Sequence, residues 1–151
     1  MGDRRRTEIF GEFLLRNFPR VKSAMVVADG KDCRLAAFLA QEGIRSVAVD
    51  PKSRNNHRGL VKIIREPFFR NMRIEQELIV GMHADHATAE IVVAAQTQGK
   101  PFVVVPCCLL GPEAKGVQGI GGWIAKLQSM AESTFLHQLD MRGRNIAIGR
   151  R

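Results

Sequence analysis

The sequence predicts a doubly wound α/β fold, with a mostly parallel sheet and helices on both of its faces. Short apolar runs rich in β-branched residues alternate with segments long enough for crossover helices, a pattern typical of parallel strands buried on both faces. The clearest unit has LIVGM at 78–82 and PFVVVPCC at 101–108, separated by a helical segment that stops at Gly99. A terminal hairpin around 142–144 would add antiparallel strands to this sheet.

The individual elements follow from local patterns along the chain. Apolar residues at helical spacing predict a helix over 7–18, which Pro19 closes. A buried strand at 21–29 leads through a turn at Gly30 into a helix over 32–43. The remaining predicted elements are, in chain order, strands at 44–50, 60–68 and 78–82, a helix at about 85–98, a strand at 101–108, a helix at 117–133 and the two terminal strands. This order specifies one doubly wound sheet.

Length and charge narrow the classes of function. The 151 residues are predicted to form one domain, with an N-terminal helical segment at 1–19 and an α/β core at 20–151. Lys and Arg number 23 against 15 Asp and Glu, which gives a net charge of +8. Such a surface attracts polyanions such as RNA, although charge alone has weak specificity. No apolar run approaches the roughly 20 residues that span a membrane, so no membrane partner is expected.

The cysteines do not have the arrangement of a disulfide framework. Cys107 and Cys108 are adjacent and Cys33 is distant, which indicates an intracellular, reducing compartment: the cytoplasm, the nucleus or an organelle. His83, His86 and the adjacent cysteines are zinc ligands by type. However, adjacent residues point in different directions from a strand, and C-x-x-C spacing is absent, so no metal is expected. A nucleophile–base pair of Cys107 with His83, or simple burial of small thiols, are the other interpretations.

Polar clusters follow the strand ends, where open α/β sheets bind their ligands. Residues 82–85 follow one strand and residues 106–108 follow the next. Asp50 ends an earlier strand, where a carboxylate can accept both hydroxyls of a ribose. Capping of the turn that follows is the alternative role for this aspartate. The turn at 29–33 contains a single glycine, Gly30, and therefore does not match the G-x-G-x-x-G fingerprint.

These segments together resemble the class I S-adenosylmethionine-dependent methyltransferases, whose fold is Rossmann-like. The resemblance rests on VVADGKDCRLAAFLAQEGIRSVAVDPK at 26–52, LIVGMHADHATAEIVVAA at 78–95 and KPFVVVPCCLL at 100–110. The most similar branch has a histidine motif after its fourth strand and PCC after its fifth. Several members of that branch act on RNA, tRNA among them. The loop at 29–33, called the first loop below, departs from the family pattern, which usually has two or three glycines there.

The resemblance implies S-adenosylmethionine as the cofactor and assigns roles to individual residues. Asp29 and Gly30 would line the methionine end, and Asp50 would hold the ribose. His83 and Asp85 would be the catalytic pair, with His83 as general base toward the acceptor. The full set implied for cofactor binding follows strand ends or opens a helix: Asp29, Gly30, Asp50, His83, Thr88, Pro106 and Cys107.

The basic loop after Asp50 is predicted to contact nucleic acid through Lys52, Arg54 and Arg58. The sequence therefore supports two hypotheses. The first is a methyltransferase-like protein that acts on RNA or binds it. The alternative is a catalytically inactive module of the same fold that binds RNA or a ribonucleoprotein partner, which the single-glycine loop favours. The oligomeric state and the acceptor atom have no signature in the sequence.

Overall fold

The computed structural model describes residues 4–151, so the first three residues of the predicted segment 1–19 lie outside the described part. The described residues form four α-helices and seven β-strands. The helices are α1 (Arg6–Asn17), α2 (Arg34–Gln41), α3 (Ala87–Gln98) and α4 (Gly119–Ser129). The strands are β1 (Ser23–Val27), β2 (Arg45–Val49), β3 (Lys62–Ile64), β4 (Leu78–Met82), β5 (Phe102–Val105), β6 (Phe135–Gln138) and β7 (Ile146–Arg150).

The seven strands form one sheet in the order β3-β2-β1-β4-β5-β7-β6. The first five pair in parallel, whereas β7 is antiparallel to both β5 and β6. The predicted parallel core with a terminal antiparallel hairpin is therefore confirmed. The strand order reverses between β1 and β4, and this switch point opens a crevice beyond the carboxyl ends of the strands.

Helices cover both faces of the sheet, as the apolar strands require. Along β1, Ala24 and Val26 pack with α1 and α2, whereas Met25 and Val27 pack with α3 and α4. Trp123 of α4 is fully buried in the second of these layers and is a core residue. Among residues 4–151, no helix has both the length and the apolar character needed to cross a membrane.

Several predicted strands are too long. Those predicted at 21–29 and 44–50 are the five residues of β1 and of β2. The strand predicted at 60–68 is only the three residues of β3. This edge strand pairs with β2 alone, so its polar flanking residues would bury little surface if the strand were longer. The strand predicted at 101–108 ends at Val105, so Pro106, Cys107 and Cys108 lie beyond the ladder.

Two helices begin later than predicted because of left-handed residues. Helix α2 starts at Arg34 rather than at 32, since Cys33 has φ +48°. Helix α3 starts at Ala87 rather than at 85, since Asp85 has φ +52°. A helical residue needs a negative φ, so neither residue can belong to the helix that follows it.

Candidate cofactor site

Two cavities lie on either side of the carboxyl end of β1. The larger has a volume of about 500 Å³ and the smaller a volume of about 170 Å³. Val27 and Ala28 line both cavities, and Ala28 has φ +58°, which turns the chain sharply out of the strand. The structure therefore divides the crevice predicted from the strand order into two compartments.

The large cavity has mostly apolar walls, and its volume lies within the roughly 300–1,000 Å³ typical of small-molecule sites. Asp50 and Pro51 form the wall after β2, and residues 84–87 form the wall after β4. Phe68, which is buried, and Phe69, which is 58% exposed, close the third side. Asp85 and Glu90 also line the cavity, but Asp50 is the one buried carboxyl residue of its wall. Aromatic and aliphatic walls with one buried carboxylate suit an uncharged planar ring attached to a hydroxylated group.

Arg70 anchors the aromatic wall of the large cavity to two other parts of the chain. Its main-chain N–H and its guanidinium donate to Glu90 of α3, at 2.7 Å and 2.6 Å respectively. The guanidinium also donates to Glu113 in the 3-10 turn after β5. These bonds raise the pKa of Arg70 and lower the pKa of Glu90. The segment that carries Phe68 and Phe69 is thereby fixed over the cavity.

Asp50 combines the two roles that the sequence leaves open for it. Its buried carboxylate accepts a hydrogen bond from the Gly30 main-chain N–H at 3.0 Å and from the Lys52 main-chain N–H at 2.8 Å. It also lines the large cavity. A carboxylate has about four acceptor positions, so two remain for a ligand after both main-chain bonds are made. Asp50 thus braces the first loop and presents a negative charge to the cavity.

Asp29 has a structural role in addition to its position at the small cavity. Its carboxylate accepts hydrogen bonds from the Leu35 N–H at 3.1 Å and the Ala36 N–H at 2.8 Å, which caps the first turn of α2. Burial raises its pKa from 3.8 to about 6, against the effect of those two bonds. Asp29 and Gly30 both line the small cavity, where the sequence-based resemblance places the methionine end.

Lys31 directly follows Gly30, the single glycine of the loop at 29–33, and its side chain could have filled the crevice. It does not lie between Gly30 and Asp50. Gly30 donates directly to the Asp50 carboxylate, and Lys31 is exposed and lines neither cavity. The main-chain carbonyl of Lys31 instead accepts a hydrogen bond from the Arg54 N–H at 2.9 Å. The single-glycine loop is therefore compatible with an open crevice.

The three residues predicted to contact nucleic acid lie on one exposed loop beside the crevice. Lys52, Arg54 and Arg58 are all exposed. Between them, Ser53 is fully buried and donates from its hydroxyl to the Gly30 carbonyl at 2.9 Å. This bond attaches the basic loop to the first loop, so the cations lie next to the crevice.

His83 lines the small cavity as a neutral imidazole. Its Nε2 lies 3.0 Å from the main-chain carbonyl of Arg144. A carbonyl can only accept, so Nε2 carries the hydrogen and Nδ1 keeps a free lone pair. Burial lowers the pKa of His83, and the charge of Arg6 acts in the same direction. Arg6, Thr7 and Arg34 complete the polar wall of this cavity.

The structure separates the two predicted catalytic residues, because His83 lines the small cavity and Asp85 lines the large one. The Cys107 thiol donates to the Asp85 carboxylate at 3.2 Å. Burial, together with that bond, raises the pKa of Cys107 to about 12, so it is a protonated thiol and a poor nucleophile at neutral pH. Thr88 and Pro106 are buried and line neither cavity.

Several lining residues have no signal in the sequence that marks them as part of a site. Arg6 and Thr7 belong to α1, which reads as an ordinary amphipathic helix. Phe68 falls in a predicted strand, and Phe69 falls in a stretch without a clear pattern. Arg70, which holds this wall in place without lining a cavity, falls in the same stretch. The adjacent aromatic pair Phe68–Phe69, which follows Pro67 a few residues after β3, is the one indication of a wall that the sequence offers.

Comparisons with known proteins connect this geometry with one fold. No family model and no curated protein sequence matches the chain. Among solved structures, magnesium protoporphyrin IX methyltransferase ChlM from Synechocystis PCC 6803, with bound SAM, superposes with a TM-score of 0.70 at 10% identity, over 97% of this chain and 79% of that one. CalS10, an amino pentose methyltransferase from Micromonospora echinaspora with bound SAM, gives 0.67 at 10% identity, over 95% and 89%.

This chain has a class I methyltransferase-like fold. The S-adenosylmethionine-dependent methyltransferase SibL gives the same result, with a TM-score of 0.66 at 12% identity over 97% of this chain. The chain spans only 55% of the length of SibL. Likeness at these identities establishes the methyltransferase-like fold, which was predicted from the strand-end motifs, and says nothing further about substrate.

Proposed function

We propose that this protein is an S-adenosylmethionine-dependent methyltransferase that holds the adenosine portion of its cofactor in the large cavity. The observation that carries the proposal is this apolar cavity at the switch point of the sheet, with the Asp50 carboxylate in its wall. The free acceptor positions of Asp50 would receive the ribose hydroxyls, and Phe68 would pack against the adenine ring.

The small cavity supplies the polar groups that the rest of the reaction needs. The bound cofactor would supply an electrophilic methyl group. Arg6 and Arg34 place positive charge at this cavity, where the carboxylate of the methionine portion would lie. The free Nδ1 lone pair of His83 would accept the proton of the acceptor, and its neutral state suits that role. Transfer to a good nucleophile requires little beyond correct positioning.

We propose RNA as the acceptor class. Lys52, Arg54 and Arg58 are exposed cations on a loop attached to the first loop through Ser53, so a polyanion held by them would lie next to the crevice. The overall charge of +8 also favours association with polyanions. Recognition of this kind depends on phosphates and is therefore sensitive to salt.

One observation favours the alternative, an inactive binding module. Asp29 and Asp50 each accept two main-chain hydrogen bonds, so both acidic groups help to build a loop that lacks the usual glycines. In an inactive module, loop support would be the sole function of these carboxylates, and RNA or ribonucleoprotein binding would remain.

Calorimetry with S-adenosylmethionine and with its demethylated product tests the cofactor site directly. We expect both to bind with 1:1 stoichiometry, and we expect Glu42→Gln to bind them like the wild type, because Glu42 is exposed and lines neither cavity. Absence of binding by either compound at millimolar concentration would contradict the enzyme and leave the inactive module.

Fluorescence anisotropy with a labelled RNA tests the acceptor class. We expect affinity to fall steeply between about 50 and 200 mM salt, and the triple change of Lys52, Arg54 and Arg58 to Gln to flatten that dependence. The matched control changes three other exposed cations, Arg16, Arg20 and Lys22, to Gln, and should keep the salt dependence of the wild type. An affinity that does not respond to salt would rule out RNA held by charge.

A further inference from the structure

Three metal-ligating side chains meet where the loops after β4 and β5 come together. Among the described residues, Asp85, Cys107 and Cys108 form a group whose ligand atoms, one from each side chain, all lie within 4.8 Å of one another. The strands β4 and β5 are parallel neighbours, so their carboxyl ends reach the same edge of the sheet. We propose that these three residues form a binding site for a thiophilic divalent metal ion, with Zn²⁺ as the first candidate.

The ligand types select the class of metal. Two cysteine sulfurs and one carboxylate oxygen match the ligands of zinc and of related soft or borderline ions, and they do not match the all-oxygen sites of Mg²⁺ or Ca²⁺. Zn–S and Zn–O bonds of about 2.3 and 2.0 Å in a tetrahedron place a sulfur and an oxygen ligand roughly 3.5 Å apart and two sulfur ligands roughly 3.8 Å apart. Cys107 Sγ and Asp85 Oδ1 already lie 3.2 Å apart. The separations that involve Cys108 are at most 4.8 Å, so shifts of about 1 Å or less bring the three atoms to these distances. The ion would take the place of the proton that Cys107 now donates to Asp85, and that proton would be released to solvent.

The two cysteine sulfurs are not kept apart by the alternation of side chains along a strand. Adjacent cysteines on a strand point to opposite faces, but β5 ends at Val105 and both cysteines follow it. In this irregular segment the two sulfurs can turn to the same side. Cys108 and Asp85 are exposed, so an ion has a direct route from solvent.

The site would be open rather than purely structural. Three protein ligands leave one position of a tetrahedral ion for water, the arrangement of zinc sites that do chemistry. Asp85 also lines the large cavity, so the ion would sit at the rim of the crevice. Metal binding needs no cofactor, and the proposal therefore stands or falls independently of methyl transfer.

Titration of the reduced, metal-free full chain with Co²⁺, followed by displacement with Zn²⁺, tests the proposal. The reductant is a phosphine that does not chelate metals. We expect 1:1 binding, the strong visible bands of tetrahedral Co²⁺ with a sulfur-to-cobalt charge-transfer band, and loss of all bands when Zn²⁺ is added. A weak octahedral Co²⁺ spectrum, or binding at less than one ion per chain in saturating metal, would overturn the site.

Single substitutions locate the ligands. Cys108→Ser and Asp85→Asn change exposed side chains and should leave the fold intact. Each should lower Zn²⁺ affinity by at least the roughly 10–100-fold that is lost when even an outer partner of a metal ligand is removed. Cys33→Ala, which removes a thiol remote from the group, and Asp32→Asn, which removes another exposed carboxylate, should bind like the wild type. Zn²⁺ affinity unchanged in Cys108→Ser would overturn the proposal.

Discussion

Val27 and Ala28, at the end of β1, separate two cavities of opposite character. On one side the walls are aliphatic and aromatic, and Phe68 covers them. On the other side the space is about a third as large and is lined by charged and polar groups such as Arg6 and His83. The difference gives an extended ligand a direction, because an uncharged ring gains from the apolar side and a charged end gains from the polar side.

Filling one cavity at a time should have the largest effect on ligand binding. Ala87→Trp, at the start of α3, would occupy the large cavity and should lower the affinity for both adenosine and S-adenosylmethionine by more than about 100-fold, or roughly 3 kcal/mol. Thr7→Trp would occupy the small cavity and should weaken S-adenosylmethionine while leaving adenosine unchanged. Calorimetry with the two ligands measures both effects.

The melting temperature of each variant is the control, because either tryptophan lies at a partly buried helical position and should leave the fold intact. Equal loss of adenosine binding in both variants would mean that the two cavities act as one site. Unchanged adenosine binding in Ala87→Trp would place the adenosine elsewhere.

The Asp50 carboxylate has a role in both regions, because it supports the loop between the cavities and also faces one of them. Asp50→Ala should lower the free energy of unfolding by about 1–3 kcal/mol, since the Gly30 and Lys52 N–H groups lose their acceptor. It should also weaken adenosine binding by roughly 2–3 kcal/mol, since bonds to a charged acceptor contribute about 1.5–3 kcal/mol each but are not additive.

Chemical denaturation and calorimetry on the same Asp50→Ala protein separate the two effects, with Glu42→Ala as the exposed control. Lost stability with unchanged affinity would leave Asp50 as a brace alone and would remove the main support for the cofactor site.

The centre of the fold could be predicted because its strands are apolar on both faces. Short apolar runs of this kind fit few structures other than a buried strand, and the strand predicted at 78–82 matches β4 residue for residue. The ends of the edge strand β3 could not be predicted, since its burial depends on a single neighbouring strand, β2. The left-handed residues Cys33 and Asp85 also escaped prediction, because neither type of residue requires a positive φ and only tertiary contacts hold them there.

The candidate site was predictable to the extent that it lies at strand ends. Asp50 and His83 follow directly from strand positions, and both line a cavity. Arg70 could not be predicted, because its partners Glu90 and Glu113 are 20 and 43 residues away in sequence and only the packed chain brings them together. Local patterns identify the edge of the sheet that binds a ligand, whereas the walls depend on contacts between distant segments.

On the polar side, the titration of Asp29 should make stability depend on pH. Its pKa in the folded protein is about 6, above the ordinary 3.8, so the folded state binds the proton more tightly. The stability that protonated Asp29 contributes is complete below about pH 4 and is lost as the pH rises to about 6. We expect the unfolding free energy of the wild type, relative to Asp29→Asn, to decrease by about 1–2 kcal/mol across that window.

Denaturation of both proteins at several pH values measures this difference. Asp140→Asn, which changes an exposed carboxyl far along the chain, is the control and should track the wild type. A difference between wild type and Asp29→Asn that rises with pH would mean that the two main-chain bonds outweigh burial, and that Asp29 is a charged cap.

On the apolar side, Arg70 should have the smallest effect on stability and a selective effect on binding. The Arg70 side chain is 42% exposed, and exposed ion pairs contribute about 0–1 kcal/mol even when two carboxylates share one guanidinium. Arg70→Gln should therefore lower the unfolding free energy by less than about 1 kcal/mol. It should weaken adenosine binding by about threefold to tenfold, up to about 1.4 kcal/mol, because the wall with Phe68 and Phe69 is no longer fixed over the cavity.

Arg16→Gln, which breaks the exposed pair with Glu12 on α1, is the matched control for Arg70→Gln and should change neither the unfolding free energy nor the adenosine affinity measurably. High salt should reproduce part of the Arg70→Gln effect in the wild type, since it screens the same pairs. A loss of several kcal/mol in stability would instead make the Arg70 contacts part of the core, and an unchanged affinity would show that the aromatic wall keeps its position without them.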